Sequence, residues 1–330
     1  ETNPTVIFFF FIVSFPILIT FTKIRFMAFQ DILDGIYNEV IQIENTGKVA
    51  DYIPELAKVD ANKYGIALVD KHQNVFTKGD ALEKFSIQSI SKVITTSLIF
   101  SKIGNDLWER VGYEPSGNSF NSLVQLENEN GIPRNPFINA GALVIADLML
   151  EHFENPKAFL LDFVRELTEN PNINYNENVA QSEKAFGYRN AALVNFIKSF
   201  GNIKNEPEAV LDFYYHQCSI EMSCVDLAKC FQVFTNNGVI PKSDKKFLSS
   251  SKCKRMNALM QMCGFYDQAG EFTFKVGLPG KSGVGGGVVA VFTNHYTVAV
   301  WSPKLNKKGN SFYGLETLER LTTETSLSIF

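Results

Sequence analysis

Ser89 and Lys92 stand three residues apart in the stretch FSIQSISKVITTSLIF, a pairing that can do covalent chemistry. Residues at that spacing share one face of a helix, so a lysine amine can reach a serine hydroxyl and take its proton. The spacing alone says little, because Ser243/Lys246, Ser249/Lys252 and Ser251/Lys254 repeat it within the polar run SDKKFLSSSKCK. There both side chains have every reason to be solvated. Ser89 instead sits where a strand-like segment gives way to an apolar helix, the setting that strips water from a lysine and lowers its pKa toward that of a useful base. A second element, Lys281-Ser282-Gly283, is the only Lys-[Ser/Thr]-Gly triplet in the chain. In enzymes with a Ser-x-x-Lys nucleophile such a triplet lines the opposite wall of the cleft. A second ammonium there would disfavour protonation of Lys92 and attract an anionic group. Taken alone, the triplet reads equally as a surface lysine before a glycine turn. Found together and in this order, the two motifs point to acyl transfer through a serine.

Such a pair needs rigid elements behind it. Ile90, Val93, Ile94 and Leu98 fall at helical spacing, and Gly104 stands where a glycine would end that helix. From Met27 to about Ile53 the pattern is helical, and Tyr64–Val69 and Val75–Thr77 read as short strands across a turn. Residues from about 120 to 264 read as mostly helical, with apolar faces over Ala140–Leu150, Ala158–Leu167, Val179–Phe200 and Ser223–Phe234. Phe272–Val276, Gly287–Phe292 and Tyr296–Trp301 read as strands, the last two joined at Asn294-His295, before a final helix from about Asn310 to Glu324. Strands at both ends of a chain pair most simply into one antiparallel sheet. The expected fold is therefore α+β: an antiparallel sheet flanked by helices, with an inserted helical lobe. Residues 27–330 form one catalytic unit, with a mixed lobe (about 27–105 plus 265–330), a helical lobe (about 106–264) and a cleft between them.

Composition excludes several functions. A net charge of −4 over 330 residues argues against a nucleic-acid partner, which would leave a basic footprint. Cys218, Cys224, Cys230, Cys253 and Cys263 form no CxxC pair and no zinc-ligand spacing, so they read as reduced thiols of a cytoplasmic protein. The four histidines are dispersed, and no metal or cofactor is expected. Residues 6–21, VIFFFFIVSFPILITF, do not fit a soluble unit. The run falls short of the roughly 20 residues of a spanning helix and carries Pro16. It also lacks the basic residues that precede a secretory apolar run. Residues 1–26 are thus an apolar leader with three open readings: sequence ahead of a true start at Met27, a membrane anchor, or an export signal. Membrane contact is expected only if residues 6–22 are authentic.

Seven ordered blocks then carry a resemblance. They are YIPELAK at Tyr52–Lys58, FSIQSISK at Phe85–Lys92, NPFINAGAL at Asn135–Leu143 and SEKAFGYRN at Ser182–Asn190. LDFYYHQCSIE at Leu211–Glu221, CGFYDQAGEF at Cys263–Phe272 and GLPGKSGVGGG at Gly277–Gly287 complete the set. From about Tyr52 to Ser311 the chain closely resembles the serine-dependent glutaminases of bacteria and animal mitochondria, in their compact bacterial form. The resemblance implies a β-lactamase/transpeptidase-like fold and hydrolysis of L-glutamine to glutamate and ammonia through a γ-glutamyl-serine intermediate. It makes Ser89 the nucleophile, Lys92 its base and Tyr266 the group that protonates departing ammonia. Substrate contacts fall on Gln88, Ser89, Asn139, Glu183, Asn190, Tyr214, Tyr266 and Val284, with Tyr52 and Lys281 in support. Glu183 suits an α-ammonium, while Asn139, Asn190 and Tyr214 suit an α-carboxylate. Backbone N–H groups of Ser89 and Val284 suit an oxyanion. Glu183 and Asn190 are seven apart, so an unbroken helix would aim both at one pocket. A homodimer or homotetramer is implied. A β-lactamase or penicillin-binding peptidase would share the fold and the nucleophile, and a catalytically dead amino-acid-binding protein would share the pocket.

Overall fold

The computed structural model describes residues 29–116, 123–243 and 245–330, and the apolar leader lies outside them. Two runs rich in Val and Ala form the middle of the molecule. Strand β1 (Gly65–Asp70) is buried throughout, as is β7 (Tyr296–Trp301), with which it pairs in register Ala67 to Ala299. Strand β2 (Val75–Gly79) flanks β1, while β6 (Gly287–Phe292) and β5 (Gly280–Ser282) continue on the other side, giving an antiparallel order β2-β1-β7-β6-β5. The strands from the two ends of the chain therefore share one sheet. A short pair, β3 (Phe85–Ser86) with β4 (Glu221–Met222), forms separately.

Successive side chains of a strand point to opposite faces, and here both faces are covered. Ile66, Leu68, Val288, Val298 and Val300 pack against Leu33, Ile36 and Val40 of helix α1 (29–40) and Leu318 and Leu321 of the C-terminal helix. Ala67, Val69, Val289, Val291 and Ala299 face the large core shared with the helical block.

In chain order the remaining helices are α2 (Pro54–Ala57), α3 (Ser91–Ile103), α4 (Leu123–Asn128), α5 (Asn139–His152), α6 (Pro156–Thr168) and α7 (Glu177–Phe186). They continue as α8 (Tyr188–Ser199), α9 (Pro207–Cys218), α10 (Cys224–Thr235), α11 (Ser250–Cys263), α12 (Ala269–Lys275) and α13 (Phe312–Thr325). Helix α10 lies on the sheet and starts at a capping box, Ser223 with Asp226. Helix α3 is buried at every residue from Ser91 to Phe100 and packs on α5, α9 and α11. Gly104 ends it at φ 66°, the expected stop. Among the described residues, no helix is long and apolar enough to cross a membrane.

Three expectations fail for physical reasons. Phe272–Val276 alternates like a strand, but only Phe272 is inward, stacked on Phe265 with ring centroids 3.5 Å apart, and the segment belongs to α12. Phe274 projects into solvent at 90% exposure, so the alternation never finds a second strand. Helix α1 stops at residue 40 instead of running to Ile53. Beyond it Ile43 O accepts from Tyr313 Oη (2.8 Å) and Lys48 bridges to Leu305, tying the segment to the sheet layer. Val179–Phe200 is two helices, broken at Gly187, where a Cβ would collide with the Tyr215 hydroxyl.

Candidate active site

The chain enters the site from β3 through a 3₁₀ turn, Gln88–Ile90, that runs directly into α3. Gln88 adopts φ 49°, a left-handed conformation uncommon for a residue with a side chain. Such conformations persist where the surroundings over-determine them, typically at functional sites. Here Gln88 O accepts from Ser91 Oγ at 2.7 Å, and Gln88 Nε2 donates to Ser86 Oγ at 3.2 Å. Ser89 and Lys92 follow on successive turns across the junction, both buried.

Lys92 is 1% exposed, and that loss of water lowers its pKa from 10.5 to about 8, although Cys218 and Glu183 oppose the shift. The N-terminal turn of α3 adds partial positive charge, which also disfavours an ammonium. Lys92 Nζ donates to Asn139 Oδ1 at 2.6 Å and to Phe137 O at 3.3 Å. Asn135 sets up this cradle, since its Oδ1 accepts from the backbone N–H groups of Phe137 (3.0 Å) and Ile138 (3.1 Å) just ahead of α5.

Asn139 Nδ2 in turn donates to Asn190 Oδ1 at 3.1 Å, joining α5 to α8. On the adjacent helix, burial raises the Glu183 pKa above its usual 4.5, and hydrogen bonds from Tyr52 and Gln88 with the charge of Lys92 only partly offset this. Tyr52 Oη donates to Glu183 Oε1 at 2.6 Å. The Tyr52 ring is half exposed, yet its hydroxyl end is enclosed, and its pKa stands well above 10.0 from that burial and the Glu183 charge. A cation bound beside Glu183 would favour its ionised form.

Tyr266, at φ 49°, closes the other side. Its hydroxyl hydrogen-bonds with Ser89, and burial pushes its pKa up to about 12, so it holds its proton at neutral pH. Close approach of the β5–β6 loop completes this wall. A Cβ on Gly283 would come within 2.5 Å of Ile87 O, so only glycine lets the backbone at Val284 sit against the Gln88 turn. Trp301 fixes the loop by donating from Nε1 to Gly285 O at 3.0 Å.

These side chains line one cleft of about 560 Å³. Tyr52, Gln88, Ser89, Asn139 and Glu183 are in its wall, as are Asn190, Tyr214, Tyr266 and Val284. Lys92 lies beneath them. The Glu183–Asn190 expectation is corrected in its reason: both reach the cleft although the helix breaks between them, because α7 and α8 both pack on α9. Lys281 is corrected in its place. It is fully buried and absent from the cleft wall, donating to Gly264 O (2.9 Å) and Ser282 O (2.7 Å) with its ammonium 4.6 Å from the Tyr266 ring centroid. Burial and the charge of Lys92 hold its pKa well below 10.5. It cannot meet a substrate anion, but it can brace Tyr266.

The cleft also holds residues that the sequence did not single out: Phe186, Gly187, Tyr188, Arg189 and Cys218. The first four lie between Glu183 and Asn190 in the block SEKAFGYRN, so their neighbours were the available signal. Cys218 is no rival nucleophile, because burial pushes its thiol up to about 12. The Ser249/Lys252 spacing proves structural: Ser249 caps α11, and Lys252 Nζ donates to Phe100 O at 2.7 Å. Among the described residues, no group of His, Cys, Asp and Glu is arranged to hold a metal ion.

The family model described as Glutaminase matches residues 47–330. The chain belongs to the glutaminase family. A glutaminase from Christiangramia forsetii is 58% identical over 304 residues, covering 92% of this chain and 100% of that one. One from Saccharophagus degradans is 52% identical over 302 residues, covering 92% and 98%. Among solved structures, the probable glutaminase ybaS superposes with a TM-score of 0.85 at 31% identity, covering 91% of this chain and 97% of that one. The probable glutaminase of Bacillus subtilis gives 0.80 at 29%, covering 92% and 97%. The family's β-lactamase-like fold is the one described above. An amidohydrolase of this family needs a nucleophile, a proton acceptor and a pocket that reads an amino acid, and the cleft brings together residues of each type.

Proposed function

We propose that the chain hydrolyses L-glutamine to L-glutamate and ammonia through a γ-glutamyl ester of Ser89. The observation that carries this reading is the desolvated Lys92 one helical turn from Ser89, beneath a cleft whose wall holds Glu183. Ser89 Oγ attacks the side-chain amide carbon while neutral Lys92 takes its proton. The oxyanion sits between the backbone N–H groups of Ser89 and Val284, a kind of donor worth about 100- to 1000-fold in rate. Tyr266, protonated at neutral pH, passes a proton to departing ammonia, and water then hydrolyses the ester. Glu183 takes the α-ammonium and Asn139, Asn190 and Tyr214 the α-carboxylate, while Gln88 and Tyr52 hold Glu183 in place. Lys281 supports Tyr266 from behind.

Ammonia release from glutamine tests the reading. Ser89→Ala should abolish it, and full activity in that variant would sink the proposal. We further propose that residues 27–330 act as one catalytic unit, cytoplasmic because all five cysteines stay unpaired, and assemble as a homodimer or homotetramer. Light scattering on the purified protein reads the last point directly, and a monomer would overturn it.

A further inference from the structure

Arg189 is the second residue of α8 and lies in the cleft wall, exposed to solvent. Among the described residues it makes no ion pair and no hydrogen bond. It stands in the first turn of a 12-residue helix, where the macrodipole disfavours a cation. Nothing in the fold compensates for that placement, and local rules broken without compensation concentrate at functional positions. Only one other charged residue lines the cleft among the described residues, and it has the opposite sign: the buried carboxyl of Glu183. The two sit on either side of the Gly187 break, so α7 contributes the acid and α8 the base. Asn190, next along α8, is already tied to Asn139 at 3.1 Å and keeps this end of the helix against the site. A free amino acid carries a matching pair of charges, an α-ammonium and an α-carboxylate.

We propose that Arg189 is a specificity-determining residue that reads the substrate's α-carboxylate, complementing Glu183 at the α-ammonium. This rests on the reading of the cleft as a glutamine site. Because Arg189 is exposed, its attraction is screened, and exposed ion pairs change equilibria by no more than about fivefold. It acts on ground state and transition state alike, since the α-carboxylate is remote from the amide under attack. The effect therefore falls on KM and leaves kcat in place.

The experiment compares wild type, Arg189→Ala and Arg189→Lys with L-glutamine as substrate. L-Glutamine α-amide, whose carboxylate is replaced by a neutral amide, serves as a competitor whose inhibition constant is read whether or not it is turned over. In Arg189→Ala the KM for glutamine should rise about fivefold at low salt with kcat unchanged, while the inhibition constant of the α-amide stays at its wild-type value. Arg189→Lys should recover most of the loss, and added salt should narrow the gap between wild type and Arg189→Ala. An unchanged glutamine KM in Arg189→Ala, or equal weakening of glutamine and the α-amide, overturns the proposal. Absence of ammonia release by the wild type would instead sink the glutamine reading itself, so the two failures are distinguishable.

Discussion

Lys92 has the most to lose from its position. Its folded pKa of about 8 lies below the ordinary 10.5, because the buried site penalises the ammonium. A base must be neutral to accept a proton, so kcat/KM should climb with pH along an acid limb centred near 8 and then level off. A pH profile flat from 6 to 9 would count against Lys92 as base. The same burial costs stability. The unfolded chain binds the Lys92 proton more tightly than the folded one, so stability rises as pH moves from about 8 toward 10.5. Lys92→Met should therefore be inactive yet more stable at pH 7 by about 1–3 kcal/mol, readable as a raised melting temperature. Tyr266 works in the opposite sense: at a pKa of about 12 it is a donor throughout the neutral range. Tyr266→Phe keeps the ring over Lys281 and removes only the hydroxyl, and should lower kcat at least 100-fold, on the order of a lost general acid.

At the scale of elements, the site depends on junctions more than on helix interiors. The 3₁₀ turn into α3, the Asn135 turn into α5 and the Gly187 break between α7 and α8 each deliver one wall of the cleft. Gly187 is the most sensitive of the three. Its missing Cβ is what lets Tyr215 pack beneath the break and donate to Gly187 O at 3.3 Å. Gly187→Ala should force the two helices apart, costing about 1–3 kcal/mol in a denaturant titration. Since Glu183 and Asn190 hang on opposite sides of the break, the KM for glutamine should rise in the same variant. A stable protein with wild-type KM would show that the junction tolerates the added methyl.

Across the whole molecule, the sheet and the helical block are each held by their own core, and the block has a polar anchor far from the chemistry. Asp147 on α5 is completely buried and accepts from Arg110 Nη2 (2.7 Å) and from the backbone N–H groups of Asn205 (2.8 Å) and Lys204 (3.1 Å). Burial alone would raise its pKa, but these donors more than offset that and leave it below 3.8. The carboxylate thus contributes stability that is present above pH 3.8 and lost as pH falls through the lower folded value. Asp147→Asn should destabilise the protein by about 2–4 kcal/mol at pH 7, with the gap to wild type closing in acid melts. Equal gaps at pH 7 and pH 3 would show that charge is not what Asp147 contributes.

The sequence by itself determined the antiparallel pairing of strands from the two ends of the chain, the buried helix behind Ser89 and the identity of most cleft residues. Those features rest on local chemistry: all-apolar strands must be covered on both faces, and an apolar helix that begins with Ser-x-x-Lys has few uses. Only the tertiary structure decided the fate of Phe272–Val276, because a strand pattern becomes a strand only when a partner edge is present. It decided equally that Lys281 braces Tyr266 rather than facing the substrate, since which way a buried lysine points depends on the carbonyls of Gly264 and Ser282 that receive it. Arg189 was legible as a letter beside Asn190, but its significance needed the cleft. An unpaired charge is defined by what surrounds it, and those neighbours come from elements far apart in the chain.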